Sequence, residues 1–161
     1  MAIELKAAEA VEFAERIEHD AANLYRCAAD MTTDVAVRDV LVKMAQAEVR
    51  HGEILADIRS GLKANPAAKP LDERSLEVLP VLADIIVTGA WQDISSRLRS
   101  DAVDGTVLCN AVGFEKDCII FYSQLRDAVH RSEDRDRIDW IIRDELGHVA
   151  VLAGDLTRRM C

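Results

Sequence analysis

The chain has 161 residues, half of them hydrophobic but only 4% aromatic, with a net charge of −9 and a pI near 4.9. That length fits one domain whose core needs no disulfide or metal staple, and the Ala, Val, Leu and Ile filling suits helices better than a β-sandwich. The acidic balance repels nucleic acid and anionic membrane, so neither is expected as a partner.

The opening, MAIELKAAEAVEFAERIEHD, lacks a basic stretch followed by an apolar run, so it does not read as a signal peptide. No apolar run approaches the roughly 20 residues of a membrane span, and the cytoplasm is the expected location. In the first element Ala7, Val11, Ala14, Ile17, Ala21, Leu24 and Ala28 recur at three- and four-residue steps, which predicts a helix over about 3–30. Thr33 or Asp34 can cap a second helix over about 34–60, carrying Val37, Val40, Leu41, Met44, Ala47, His51, Leu55 and Ile58, with Gly61 as its stop.

All three prolines, Pro66, Pro70 and Pro80, fall next, and 61–100 reads as a long crossover. Within it, 61–80 is expected to be loop and 81–100 one or two short helices. A third long helix is predicted over about 101–130 and a fourth over about 133–159, started by Ser132, Glu133 and Asp134. Short turn, long crossover, short turn makes this an all-α four-helix bundle of two hairpins, in which the second and third long helices run the same way.

The two halves repeat at an offset of 97 residues. Glu18-His-Asp-Ala-Ala-Asn-Leu-Tyr25 aligns with Glu115-Lys-Asp-Cys-Ile-Ile-Phe-Tyr122. Thirty residues after each first glutamate stands Glu-x-x-His, as Glu48-Val-Arg-His51 and Glu145-Leu-Gly-His148. A lone Glu-x-x-His is commonplace on helices, but its duplication with both of the chain's tyrosines in register is not.

Residues i and i+3 share a helix face, so each Glu and His of the motif can reach one ion. Glu18 and Glu48 lie at similar distances before and after the first turn, as Glu115 and Glu145 do about the second. Packing the hairpins therefore gathers Glu18, Glu48, His51, Glu115, Glu145 and His148 at mid-bundle. Four buried carboxylates are tolerable only with compensating charge, and two divalent cations supply it. Mixed carboxylate and imidazole donors suit iron or manganese better than structural zinc.

Tyr25 and Tyr122 are expected to aim their hydroxyls at glutamates of the opposite hairpin, because a buried phenol needs a partner. His19, Asp20 and Asp117 are out of phase with the ligands and read as surface; His130 is given no metal role. Cys27, Cys109, Cys118 and Cys161 form no C-x-x-C pair. They read as free thiols on apolar helix faces or at the C-terminus, in a reducing compartment.

Phe114-Glu-Lys-Asp-Cys-Ile-Ile-Phe-Tyr122, Asp144-Glu-Leu-Gly-His148 and Ala45-Gln-Ala-Glu48-Val-Arg-His51 resemble the rubrerythrin family of the ferritin-like superfamily. The resemblance implies a two-iron centre that reduces hydrogen peroxide or reacts with dioxygen, and a homodimer. Rubrerythrins proper add a rubredoxin domain, which this chain lacks, so an external donor such as a rubredoxin-like protein is expected. They also carry a further glutamate where this chain has Cys118. The remaining six ligands equally resemble the symmetric site of bacterioferritins, which implies ferroxidase activity with iron storage or delivery as the alternative.

Overall fold

The computed structural model describes residues 6–65, 71–97 and 103–160. Five helices follow in order: α1 (Ala7–Met31), α2 (Val35–Lys63), α3 (Glu73–Arg97), α4 (Val103–Ala128) and α5 (Ser132–Met160). No strand occurs among the described residues, and none of their helices is long and apolar enough to cross a membrane. Residues 3–5, Pro66, Pro70, 98–102 and Cys161 lie outside the described residues.

The turns explain why the long helices start and stop where they do. Asp34 caps α2, its Oδ1 accepting from the amides of Ala36 (2.8 Å) and Val37 (3.2 Å). Arg38 then reaches back to the carbonyl oxygens of Thr32 (2.8 Å) and Ala29 (3.3 Å) at the end of α1. Ninety-seven residues on, Arg135 donates from Nε to the Val129 carbonyl at 2.7 Å. The internal repeat therefore extends to the arginine that closes each hairpin.

Contacts between helices fix their directions. Tyr25 of α1 meets Glu115 of α4 while Tyr122 meets Glu18, so α1 and α4 are antiparallel. Arg59 of α2 reaches Glu12 and Glu15 of α1 while Arg38 reaches Ala29, so these two are antiparallel as well. It follows that α2 and α4 run in the same direction, as the long crossover requires. The apolar stripes meet in one continuous core, with Val11, Leu41, Leu55, Leu108, Phe121, Tyr122, Leu125, Ile138, Ile141 and Leu152 fully buried.

The crossover differs from the sequence expectation. Residues 73–80 are helical, not loop, and one helix of 25 residues replaces one or two short ones. Asp72 starts it, its Oδ1 accepting from the Ser75 amide at 2.7 Å. Pro80 sits inside that helix, where the missing N–H and ring clash cost about 3 kcal/mol. Burial of Leu79, Ala83 and Ile86 offsets this, with α3 packed on α4 and α1. Gly61 does not end α2 either. The helix runs to Lys63 with Ala64 as its cap, and no described glycine has the positive φ that favours a stop.

Candidate metal centre

The six residues of the repeat converge. Glu18 comes from α1, Glu48 and His51 from α2, Glu115 from α4, and Glu145 and His148 from α5; all six are buried. Their donor atoms form two groups, Glu18, Glu48, His51 and Glu145, and Glu48, Glu115, Glu145 and His148. In each group the atoms lie within 4.8 Å of one another. Glu48 and Glu145 belong to both, which makes them the candidate bridges between two ions. Glu18 with His51, and Glu115 with His148, would complete the two ends.

The imidazoles turn Nδ1 toward the carboxylates. His51 Nδ1 lies 3.1 Å from Glu48, 3.2 Å from Glu145 and 3.8 Å from Glu18. His148 Nδ1 lies 2.7 Å from Glu145, 3.5 Å from Glu48 and 3.8 Å from Glu115. Behind them, the rings stack with centroids 5.6 Å apart. The tyrosines sit as the repeat predicts: Tyr25 donates to Glu115 and Tyr122 donates to Glu18, each from the opposite hairpin. Burial and then the adjacent glutamate, Glu115 or Glu18, raise both phenols well above their usual pKa, so they remain donors.

Two residues near the site escaped the sequence reading. Asp144 Oδ2 lies 2.9 Å from His51 Nε2 and 3.7 Å from His148 Nε2. One carboxylate can thus accept from the outer nitrogen of His51 and draw that of His148, leaving both Nδ1 atoms for metal. Asp144 stands directly before Glu145, but its counterpart in the repeat is Ala47, so aligning the halves passes over it. Trp140 meets His51 in a T-shaped contact, ring centroids 5.8 Å apart. Asp144→Ala is expected to weaken metal binding by roughly 10–100-fold with the helices intact. Competition against a chelator measures this, and an unchanged affinity would remove the orienting role.

Charge and burial decide what the donor set needs. Burial, then the charges of Glu18, Glu145 and Glu115, hold the Glu48 carboxyl well above its usual pKa. Burial and Glu145 push Glu115 up to about 8. Glu145 goes the other way, to about 2, because hydrogen bonds from His148 and His51 outweigh its burial. For His148, burial is likewise outweighed by Glu115 and Glu145, which raise it to about 10; Glu145, Glu18 and Glu48 raise His51 in the same sense. Glu48 Oε1 and Glu115 Oε2 are buried without a hydrogen-bond partner. Orphaned carboxylate oxygens around two imidazoles suit hard or borderline divalent cations.

Glu115, pushed up to about 8, and the imidazole of His148, raised to about 10, favour their protonated forms near neutral pH in the metal-free protein, and a cation must displace those protons. Affinity should therefore fall as pH falls from about 8, where Glu115 begins to protonate, toward about 6. Calorimetry in buffers of different ionisation enthalpy should show proton release on loading. No release, with an affinity flat across that range, would contradict this electrostatic picture.

The residues read as surface are so placed. The His19 side chain is 74% exposed, and Asp117 and His130 are exposed. Asp20 is half-buried beside His19. Cys27 and Cys109 are exposed free thiols, which corrects their placement on apolar faces; Cys118 alone among the described cysteines is buried.

The rubrerythrin family model matches residues 9–154. No curated protein matches the sequence at a significant level. Among solved structures, a Thermotoga maritima protein assigned as a ferritin-like diiron-carboxylate protein superposes with a TM-score of 0.74. It shares 23% identity, over 98% of this chain and 98% of that one. At that identity the likeness shows the fold, a ferritin-like helical bundle.

Proposed function

We propose that this chain, which belongs to the rubrerythrin family, is a two-iron oxidoreductase that reduces hydrogen peroxide or dioxygen with electrons from an external donor. The observation that carries the reading is the pair of donor groups sharing Glu48 and Glu145. Manganese suits the same donors. Iron bound there supplies one electron from each ion, together with Lewis acidity toward the oxidant's oxygens.

The chain's own residues do the rest. Glu18, Glu48, Glu115 and Glu145 balance two divalent charges within a site that excludes bulk water. Tyr25 and Tyr122 fix the two end carboxylates with protons they retain, and Asp144 fixes His51. A carboxylate pinned from outside keeps its metal-facing oxygen in place when the charge of the site changes.

The alternative, a ferroxidase that stores or delivers iron, is favoured by one feature: buried Cys118 leaves six ligands in symmetric halves. Stopped-flow spectroscopy of the diferrous protein separates the two. Faster oxidation by peroxide than by dioxygen, with two irons per chain, supports the first. Faster oxidation by dioxygen, with iron accumulating beyond two per chain, supports the second. A homodimer accompanies either reading. Val35, Val42 and Val49 form an exposed stripe along α2 at seven-residue spacing, a seam two copies can share. Sedimentation velocity of Val42→Lys against the natural protein tests that pairing.

A further inference from the structure

Beside the two donor groups that share Glu48 and Glu145 stands a third. His51, His148 and Asp144 also bring one donor atom each within 4.8 Å of one another. Here the nitrogens nearest the carboxylate are the outer ones: Asp144 Oδ2 lies 2.9 Å from His51 Nε2 and 3.7 Å from His148 Nε2. The imidazole planes are only 27° apart, which turns both outer nitrogens to the same oxygen. Hydrogen bonding accounts for the first distance but not for the second, which exceeds hydrogen-bond reach. The two distances bracket the roughly 3.3 Å that separates donors around a tetrahedral ion with bonds of about 2.0 Å. The Asp144 side chain is 35% exposed, so this group opens to solvent while the four glutamates are buried.

The surroundings suit an ion at this place. A ligating imidazole is oriented by a carboxylate that accepts from its other ring N–H. His51 Nδ1 has Glu48 at 3.1 Å and Glu145 at 3.2 Å, and His148 Nδ1 has Glu145 at 2.7 Å. With metal on Nε2, these glutamates become the orienting partners, the reverse of the part that Asp144 plays for an inner ion. Two imidazoles, one carboxylate and a position open to water are the donor set of an open zinc site, whereas the carboxylate-rich inner groups suit iron or manganese. The duplication of the halves does not generate a second such group, because Ala47 stands where the repeat would put another Asp144.

We propose that His51, His148 and Asp144 form an outer site for a single zinc ion, and that filling it shuts out the two-metal centre. A neutral imidazole carries one N–H and one lone pair. Zinc on Nε2 leaves the proton on Nδ1, so both inner positions lose their nitrogen ligand at once. The site rests on the three donor atoms alone, and its control over iron rests on the two-iron reading above.

Zinc titrated into the metal-free protein, followed through the ring-nitrogen NMR signals of His51 and His148, tests the site. The first equivalent should move both Nε2 signals to the metal-bound range and leave both Nδ1 atoms protonated. Asp144→Asn keeps an oxygen that accepts from an Nε2–H but gives up the ligand charge, so its zinc affinity should fall by roughly tenfold or more. Glu48→Ala, which strips a donor from both inner groups, should still take one zinc. Iron counting tests the exclusion. After one equivalent of zinc, ferrous uptake should drop far below one iron per chain, because neither inner position keeps its imidazole. Zinc lodged in one inner position would instead leave the other to take one iron.

Zinc bound through Nδ1, an undiminished zinc affinity in Asp144→Asn, or a folded Glu48→Ala protein that takes no zinc would overturn the outer site. One iron per chain taken up beside the zinc would overturn the exclusion. If zinc sits on Nδ1 while the diferrous protein consumes peroxide, the outer site fails and the oxidoreductase reading stands. If zinc sits on Nε2 while the diferrous protein consumes neither peroxide nor dioxygen, the oxidoreductase reading fails and the outer site stands.

Discussion

Glu48→Ala and Glu145→Ala are each expected to lose both metal ions, while Glu18→Ala and Glu115→Ala keep one. The two candidate sites share Glu48 and Glu145, so removing either carboxylate strips a donor from both. Removing Glu18 or Glu115 strips only one end. Stability should move in opposite directions in the two states. Burial and three other glutamates disfavour the charged form of the Glu48 carboxyl, so the metal-free Glu48→Ala protein sheds an acid that the empty site penalises and is expected to melt no lower, even with the cavity it leaves. The loaded natural protein gains the free energy of binding at both sites, and the variant forfeits it. Ferrous titration with metal counting, paired with melting curves with and without metal, checks both halves. Equal metal loss across all four variants would defeat the bridging assignment.

Much of this centre is legible in the sequence because helix geometry is periodic and the chain repeats itself. Once Glu18 and Glu115 align at an offset of 97, the phase of Glu48, His51, Glu145 and His148 follows, and so does the crossed pairing of Tyr25 and Tyr122. What the repeat does not duplicate stays hidden. Asp144 matches Ala47 and Trp140 matches Lys43, so both vanish from an alignment of the halves although both touch His51. The hairpin arginines Arg38 and Arg135 do repeat, but their partners are backbone oxygens that no residue type marks. The crossover is less legible for a different reason. Leu76, Leu79, Ala83 and Ile86 carry a helical period, and Asp72 a cap, yet Pro80 reads as a breaker unless packing on α4 and α1 is known to outweigh it.

Cys118→Glu should change both the stability of the metal-free protein and the chemistry of the loaded one. Cys118 is 2% exposed and lies one turn beyond Glu115. Burial and then Glu145, Glu115, Glu18 and Glu48 raise its thiol well above the usual pKa, so it remains neutral. On the proposed two-metal reading, a small neutral group there lets four carboxylates match two divalent cations, and both histidine-held positions are expected to stay filled in either redox state. Diferrous and diferric crystals of the natural protein are therefore expected to place the metals alike. Glutamate adds bulk to a closed site, which costs about 1–3 kcal/mol, and a further buried acid that is forced to stay protonated. At about 2–4 °C per kcal/mol for a chain of this size, the metal-free variant should melt visibly lower than the natural protein. Loaded with iron, the same carboxylate offers an additional oxygen donor, as in rubrerythrins proper, and the rate with peroxide should rise relative to that with dioxygen. Calorimetry of the metal-free pair and stopped-flow of the diferrous pair read the two effects separately. An unchanged melting temperature would mean the space beside Cys118 is open and not packed. An unchanged preference for peroxide, or iron that shifts by about an ångström in the natural protein, would mean that Cys118 does not set the oxidant.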